Sequence, residues 1–202
     1  MPRWLEILGL ILCGLLQLAL TVKFWGQLSF VWMIPLVILA LVAADLVAAL
    51  IHWFFDTWFT PETPIIGGII APFREHHIDQ LAILKNDFVG TAGGPSWIGV
   101  FVLVPVIIWG GPVWAFFLGW LANFASQGDT VHRAIHLRER APWPIKVLQR
   151  LHLVQTFQQH DGHHTPPHHN GWAILTGWWN PVLDVVLPRV ERAIRSVLPR
   201  PA

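Results

Sequence analysis

The 202-residue chain has one cysteine, Cys13, no tyrosine, and only 12% charged residues. A lone cysteine permits no internal disulfide. It also excludes thiolate zinc sites and iron-sulfur clusters, which need several cysteines. An ordinary soluble domain carries roughly 25% charged residues, so this chain lacks the polar surface of one. Its formal charge of +1 lacks the basic excess that a phosphate-backbone partner requires, and no nucleic-acid partner is expected. The metalloprotease string HExxH, in which Glu is the general base, is missing too; the nearest string is REHH. What the chain does have is 54% hydrophobic residues, thirteen tryptophans and eleven histidines, with a mean hydropathy of +0.52. The expected class is an all-α integral membrane protein.

Four apolar blocks carry that expectation. Leu5 to Val22 is close to the roughly 20 residues that span a hydrocarbon core. With Arg3 before it and no clean A-x-A cleavage signal after it, the block reads as an anchor helix and not as a removable signal peptide. Phe30 to Leu50 is the clearest span, and its helical pattern continues through HWFFDTW to Trp58. Ser96 to Trp109 and Pro112 to Ser126 follow, separated by the turn signal GGP. Ser96 to Trp109 is short, so this pair is either a hairpin that just crosses or a re-entrant one. About four membrane-embedded helices with both termini cytoplasmic leave only Lys23, of thirteen Lys and Arg, outside, as the positive-inside rule prefers. The same topology gathers every histidine on the cytoplasmic face. Tryptophan without tyrosine suggests interfacial belts, Trp178 and Trp179 among them.

The histidines fall into clusters, five of them in HDGHHTPPHH. Imidazole is the commonest protein metal ligand near neutral pH. Residues four apart share a helix face, so His52 with Asp56, and His132 with His136, can each offer two donors. Adjacent His76 and His77 point about 100° apart on a helix and suit two different metals. His160, His163 and His164 share a helical face or its flank, and Pro166 and Pro167 end that helix, leaving His168 and His169 in a turn. His169 is the dispensable member. Asp45, seven residues before His52, is a costly intramembrane carboxylate. It either orients a ligating imidazole or pairs with a neighbouring helix. A lone histidine such as His152 is ordinarily a packed or surface residue. Eight or nine histidines exceed the three or so ligands of one catalytic zinc and suit two metal ions. Iron is the expected metal, because imidazole suits it.

The motifs ADLVAALIHWFFDTW, APFREHHIDQLAILKNDF, HRAIH and HDGHHTPPHHNGWAILTGWWNPVLD closely resemble the membrane lipid desaturase family, which includes plasmanylethanolamine desaturases and a plastid desaturase of phosphatidylglycerol. The likeness covers Asp45 to Asp184, with the HxxxD, REHH, HxxxH and HxxHHxxxH blocks in family order. It implies a di-iron enzyme that uses O2 as co-substrate and acts on a chain already attached to a glycerophospholipid. Electrons would come from an external carrier of the cytochrome b5 or ferredoxin type. The plasmanylethanolamine branch, giving a vinyl ether, is the favoured substrate. By resemblance the metal ligands are His52, Asp56, His76, His77, His132, His136, His160, His163, His164 and His168. His152 matches a family histidine and becomes a candidate supporting residue, as does Asp87 as a ligand-orienting carboxylate. Asn86 stands where the animal enzyme of the family has a histidine, a departure that leaves the main histidine blocks whole.

Arg74 and Lys85 are candidates for contacting the lipid phosphate or the electron donor, the alternative being a role in topology. The expected organisation is an anchor over residues 1–27, a desaturase domain over 28–188, and a basic amphipathic tail over 189–202 lying on anionic lipid. A membrane di-iron hydroxylase would use the same histidines and differ only in the second step. A non-catalytic metal-binding membrane protein is the more distant alternative.

Overall fold

The computed structural model describes residues 1–197. Its regular structure there is entirely helical: α1 Arg3–Lys23, α2 Phe30–Trp58, α3 Gly67–Ile78, α4 Phe88–Trp109, α5 Pro112–Ser126, α6 Gly128–His136, α7 Trp143–Arg150, α8 Phe157–His160 and α9 Asn180–Val197, with short 3-10 turns at Ala82–Lys85 and Arg138–Arg140. Three helices, α1, α2 and α4, are long and apolar enough to cross a bilayer.

The third apolar block is longer than its sequence suggests. It does not begin at Ser96: α4 starts at Phe88, where Asp87 caps it by accepting from the Gly90 N–H at 3.0 Å. Twenty-two residues rise about 33 Å, enough to cross. The glycines before Ser96 break no helix here, because they let α1 lie against α4. A Cβ on Gly93 would stand 2.5 Å from the Glu6 Cβ, and one on Gly9 2.8 Å from the Trp97 Nε1. Small residues at the seam of two membrane helices permit such close approach. The fourth block, α5, has 15 residues. At about 22 Å it is shorter than the roughly 30 Å hydrocarbon core, and it returns the chain from the Trp109 end of the bundle to the histidines of α6, which starts two residues after α5 ends.

In the bundle α1 packs on α4, α4 on α5, and α5 on α2. Cys13 and Leu20 of α1, Leu103 and Val106 of α4, and Ala115 and Ala122 of α5 form one apolar core. Gln17 ties α1 to α5 by donating to the Gly119 carbonyl at 2.6 Å. Trp25, Trp32, Trp109 and Trp114 are all more than 60% exposed. They sit at the end of the bundle where α1 and α4 finish and α2 and α5 begin, the arrangement of an interfacial aromatic belt. Trp179 is not part of such a belt. Its indole N–H donates to the Val42 carbonyl at 2.8 Å, holding the start of α9 against α2.

The chain returns to α2 after the histidine-rich turn. Trp172, Ala173, Leu183 and Leu187 pack on Ala49 in a second core. Helix α9 runs without a break from Asn180 through Pro188 to Val197, and its Leu183 and Leu187 are seated against Ala49 of α2. Residues 198–202 of the expected basic tail lie outside the described residues.

Candidate metal centre

Four separate pieces of chain deliver donors to one place. The C-terminal half of α2 presents His52 and Asp56 one turn apart, α3 ends with His76 and His77, and α6 carries His132 and His136. The fourth piece departs from expectation. Helix α8 stops at His160, and tight turns carry the chain onward, the His163 N–H donating to the His160 carbonyl at 2.9 Å and the His164 N–H to that of Asp161 at 3.1 Å. Those turns keep the winding that brings His160, His163 and His164 to the same region.

The donors sort into two groups. His76, His132, His136, His160 and His164 form one, all buried; His52, Asp56, His77 and His163 form the other. In each group the donor atoms lie within 4.8 Å of one another. In the first, the Nε2 of His132 is 2.7 Å from that of His160, and the Nε2 of His76 is 3.0 Å from that of His136. In the second, the His52 Nε2 is 3.1 Å from an Asp56 oxygen and 3.1 Å from the His163 Nε2, and the Nε2 atoms of His77 and His163 are 2.9 Å apart. The groups adjoin, with the rings of His163 and His164 5.5 Å apart between centroids.

Hydrogen bonding alone does not account for this arrangement. A neutral imidazole has one N–H, so five Nε2 atoms facing each other cannot all be donor and acceptor in turn. The buried Nδ1 atoms of His76, His136, His160 and His164 have no partner, and neither carboxylate oxygen of Asp56 has a hydrogen bond of good geometry. A cation among the Nε2 lone pairs removes the conflict. At a metal–nitrogen distance of about 2.1 Å, donors at right angles stand about 3 Å apart, which is the spacing seen. Both groups therefore fit a metal ion.

The electrostatics agree. Burial, followed by the neighbouring imidazoles, holds His76 down at about 3, His164 at about 2 and, with Arg138, His136 at about 4. Burial also brings His77 to about 3 against the opposing pull of Asp56, and holds His132 and His160 well below the ordinary value. Neutral rings keep their lone pairs for a metal.

Backbone carbonyls orient the second group. The His52 Nδ1 lies 3.1 Å from the Trp172 carbonyl oxygen, and the His163 Nδ1 lies 2.6 Å from that of Asn170. These contacts assign the proton to Nδ1 and turn Nε2 toward the centre. The Trp172 indole also meets the rings of His52 and His163 edge-on. Trp172 and Asn170 act largely through main-chain oxygens, so no side-chain pattern marks them in the sequence.

Several expected site residues lie elsewhere. His168 is in neither donor group: its Nδ1 bonds the His163 carbonyl at 2.8 Å and its ring stacks on His77 at 4.6 Å. It does so at φ +61, a left-handed conformation that non-glycine residues seldom adopt. Asp45 touches no imidazole. Its Oδ1 accepts from the backbone N–H groups of Leu175 and Thr176 at 3.0 and 3.1 Å, and its Oδ2 from the Thr176 hydroxyl at 2.6 Å. The residue thus clamps the segment following Trp172 onto α2. Asp87 is exposed at the start of α4 and paired with Arg3, whose guanidinium, helped by the Gly90 N–H, holds the carboxyl well below the usual range. His152 is exposed and bonds through its main chain, its N–H donating to the Gln149 carbonyl at 3.1 Å and its carbonyl accepting from the Trp178 indole at 2.8 Å. Lys85 pairs with Asp79 at 3.2 Å on the surface. Arg74 does stand beside the second group, lining a cavity shared with Asp56 and His77.

Comparison with known proteins gives this geometry its context. A family model described as the lipid desaturase domain matches residues 41–200. The chain is 35% identical over 211 residues to a plasmanylethanolamine desaturase of Myxococcus xanthus, covering 98% of this chain and 75% of that protein. It is 35% identical over 167 residues to plasmanylethanolamine desaturase 1 of Mus musculus, covering 75% of this chain and 62% of the mouse protein. A chloroplastic fatty acid desaturase 4 of Arabidopsis thaliana is 28% identical over 71% of this chain and 45% of its own length. No solved structure matches the chain. A domain match over most of the length, membrane-length helices and two buried histidine-rich donor groups come together in one conclusion: this chain belongs to the lipid desaturase family.

Proposed function

We propose that the chain is an O2-dependent, di-iron membrane desaturase that introduces a double bond into an alkyl or acyl chain of a glycerophospholipid. Within that class the proposed substrate is the alkyl chain of a plasmanylethanolamine-type lipid, and the product a vinyl ether. The observation that carries the reading is the pair of adjoining donor groups, whose nine side chains include eight histidines. One catalytic zinc takes about three, and imidazole suits iron. The names of the myxobacterial and mouse relatives support the choice of substrate.

Iron bound there would supply the one-electron chemistry by which two hydrogens leave adjacent carbons while O2 is reduced to water with two external electrons. The protein's own contribution is positional. His76, His132, His136, His160 and His164 hold one metal; His52, Asp56, His77 and His163 hold the other. Trp172 and Asn170 fix the ring orientations of His52 and His163, and His168 braces His163 and His77. Low proton affinity in the buried rings keeps the donor set intact in mildly acidic conditions.

The proposed topology places both termini and the metal centre on the cytoplasmic side. There an external donor of the cytochrome b5 or ferredoxin type delivers electrons. Residues 1–27 serve as an anchor to the domain over 28–188, and 189–202 as its basic tail.

Lipid analysis of a host expressing the chain tests the assignment. New vinyl-ether phospholipids are expected, together with about two irons per purified chain. A trans double bond near an acyl carboxyl would move the substrate to the plastid branch, hydroxylated lipids would replace the desaturase by a hydroxylase, and one zinc per chain would end the di-iron reading.

A further inference from the structure

A cavity of about 230 Å³ opens beside the second donor group, with Asp56 and His77 in its wall. Its lining also includes Arg74 of α3, and Glu191 with Arg195 of α9, from two elements far apart in sequence. Both arginines are held. Arg74 donates to the Phe59 carbonyl at 2.6 Å. Arg195 donates through Nε to Glu191 at 2.8 Å and through Nη2 to the Thr57 carbonyl at 3.3 Å, with its guanidinium over the Trp58 ring at 5.0 Å. A guanidinium has five N–H donors in a fixed fork, so each arginine retains several for a ligand.

Charge narrows the ligand class. Glu191 offsets Arg195, whereas no carboxylate pairs with Arg74 among the described residues. The cavity wall therefore carries about one net positive charge besides the metal ligands, matched to a singly charged phosphodiester, and forked donors are the usual recognition of phosphate. Size narrows it further. The volume lies under the roughly 300–1,000 Å³ of drug-sized sites, giving room for a polar headgroup and leaving long acyl or alkyl chains in the bilayer.

We propose that Arg74 and Arg195 form a headgroup subsite that binds the phosphodiester of the substrate phospholipid, with Glu191 holding Arg195 in position. The inference rests on the lipid desaturase reading and deepens it. In a glycerophospholipid the phosphorus and the first carbon of the adjacent chain are about six single bonds apart, or roughly 8 Å when extended. A phosphate seated against a wall that includes Asp56 and His77 therefore keeps the headgroup-proximal carbons at the metal centre. The subsite determines which carbons react. It also gives the C-terminal helix a part in substrate selection that the histidine motifs do not reveal.

The test uses the full-length, iron-loaded protein in detergent. Thermal stabilisation is titrated with a short-chain phosphatidylethanolamine, the matching diacylglycerol without phosphate, and inorganic phosphate. The phospholipid should act at about tenfold lower concentration than the diacylglycerol, the worth of one charge-assisted contact, and millimolar inorganic phosphate should not displace it. R74Q and R195Q, each checked for parental iron content, should lose that tenfold preference. Equal midpoints for the two lipids in the parent protein would overturn the proposal without recourse to a variant, as would variants that keep the preference. Competition by submillimolar phosphate would assign the cavity to the free ion instead. Preference for the phospholipid with no desaturated lipid in the expressing host would sink the desaturase reading and leave the subsite standing; desaturated lipid in the host without that preference would do the reverse.

Discussion

Replacing Asp45 by Ala should damage the metal centre from a distance. The carboxylate is fully buried and accepts three hydrogen bonds, from the Leu175 and Thr176 amides and the Thr176 hydroxyl. Each buried donor left unpaired costs about 1–3 kcal/mol. The Thr176 hydroxyl can turn elsewhere, and removing the charge returns part of its desolvation cost, so the net loss settles at about 3–5 kcal/mol, the range for a broken buried pair. For a chain of this length that lowers the melting temperature by roughly 6–20 °C. The freed segment carries Trp172, whose carbonyl orients His52, so iron in the second donor group should also fall. D45N is the informative partner. Its remaining oxygen can still accept both amides, and its NH2 can donate to the Thr176 hydroxyl, so it should lose no more than about half as much stability. Thermal unfolding in detergent, with iron measured on the same samples, reads both effects. Should D45A melt within about 2 °C of the parent and hold the same iron, the clamp argument is wrong.

H132A and H163A, which truncate donors in different groups, should each lower iron from about two toward one per chain and abolish desaturated product while the protein still inserts in the membrane. Unchanged iron in either would remove that residue from the donor set. G93A should destabilise the α1–α4 seam by about 1–3 kcal/mol, because its new methyl meets Glu6 main-chain atoms at 2.8 Å. G14A, with nothing within 4 Å, should be neutral or stabilising, and equal melting temperatures for the two would contradict the packing. The metal-free protein should lose stability as pH falls below about 6.5. The unfolded chain then takes up protons that His76, His77 and His136 refuse until about 3 to 4, so the unfolded state binds more protons and stability rises with pH across that window. A flat profile between pH 4 and pH 7 in chemical denaturation would rule this out.

Much of the centre was legible because helices convert spacing into direction. His52 with Asp56 and His132 with His136 stand one turn apart, and adjacent His76 and His77 diverge into different donor groups. What spacing could not supply is long-range pairing: which histidines share a group depends on how α2, α3 and α6 pack. The cost of an intramembrane carboxylate marks Asp45 in the sequence, but its partners are amides some 130 residues away, which no local pattern announces. Asp87 and His152 became candidates through their neighbourhood in motifs; exposure, an Arg3 partner and a turn place them elsewhere. The third membrane helix reads short in the sequence because glycine and proline normally punctuate structure, whereas Gly93 makes room for α1.

Helix α2 joins the bilayer to the chemistry without a hinge. Its 29 residues, about 43 Å, run unbroken from Phe30 to Trp58 and end in His52 and Asp56, and the histidine-rich segment is fastened back onto the same rod at Val42 and Asp45. The metal centre consequently has a set altitude above the hydrocarbon core. The protein works as a depth gauge: a thinner or thicker bilayer changes how readily a lipid headgroup comes level with the donors, so the rate of reaction becomes a property of the membrane, while the headgroup subsite keeps the reacting carbons the same.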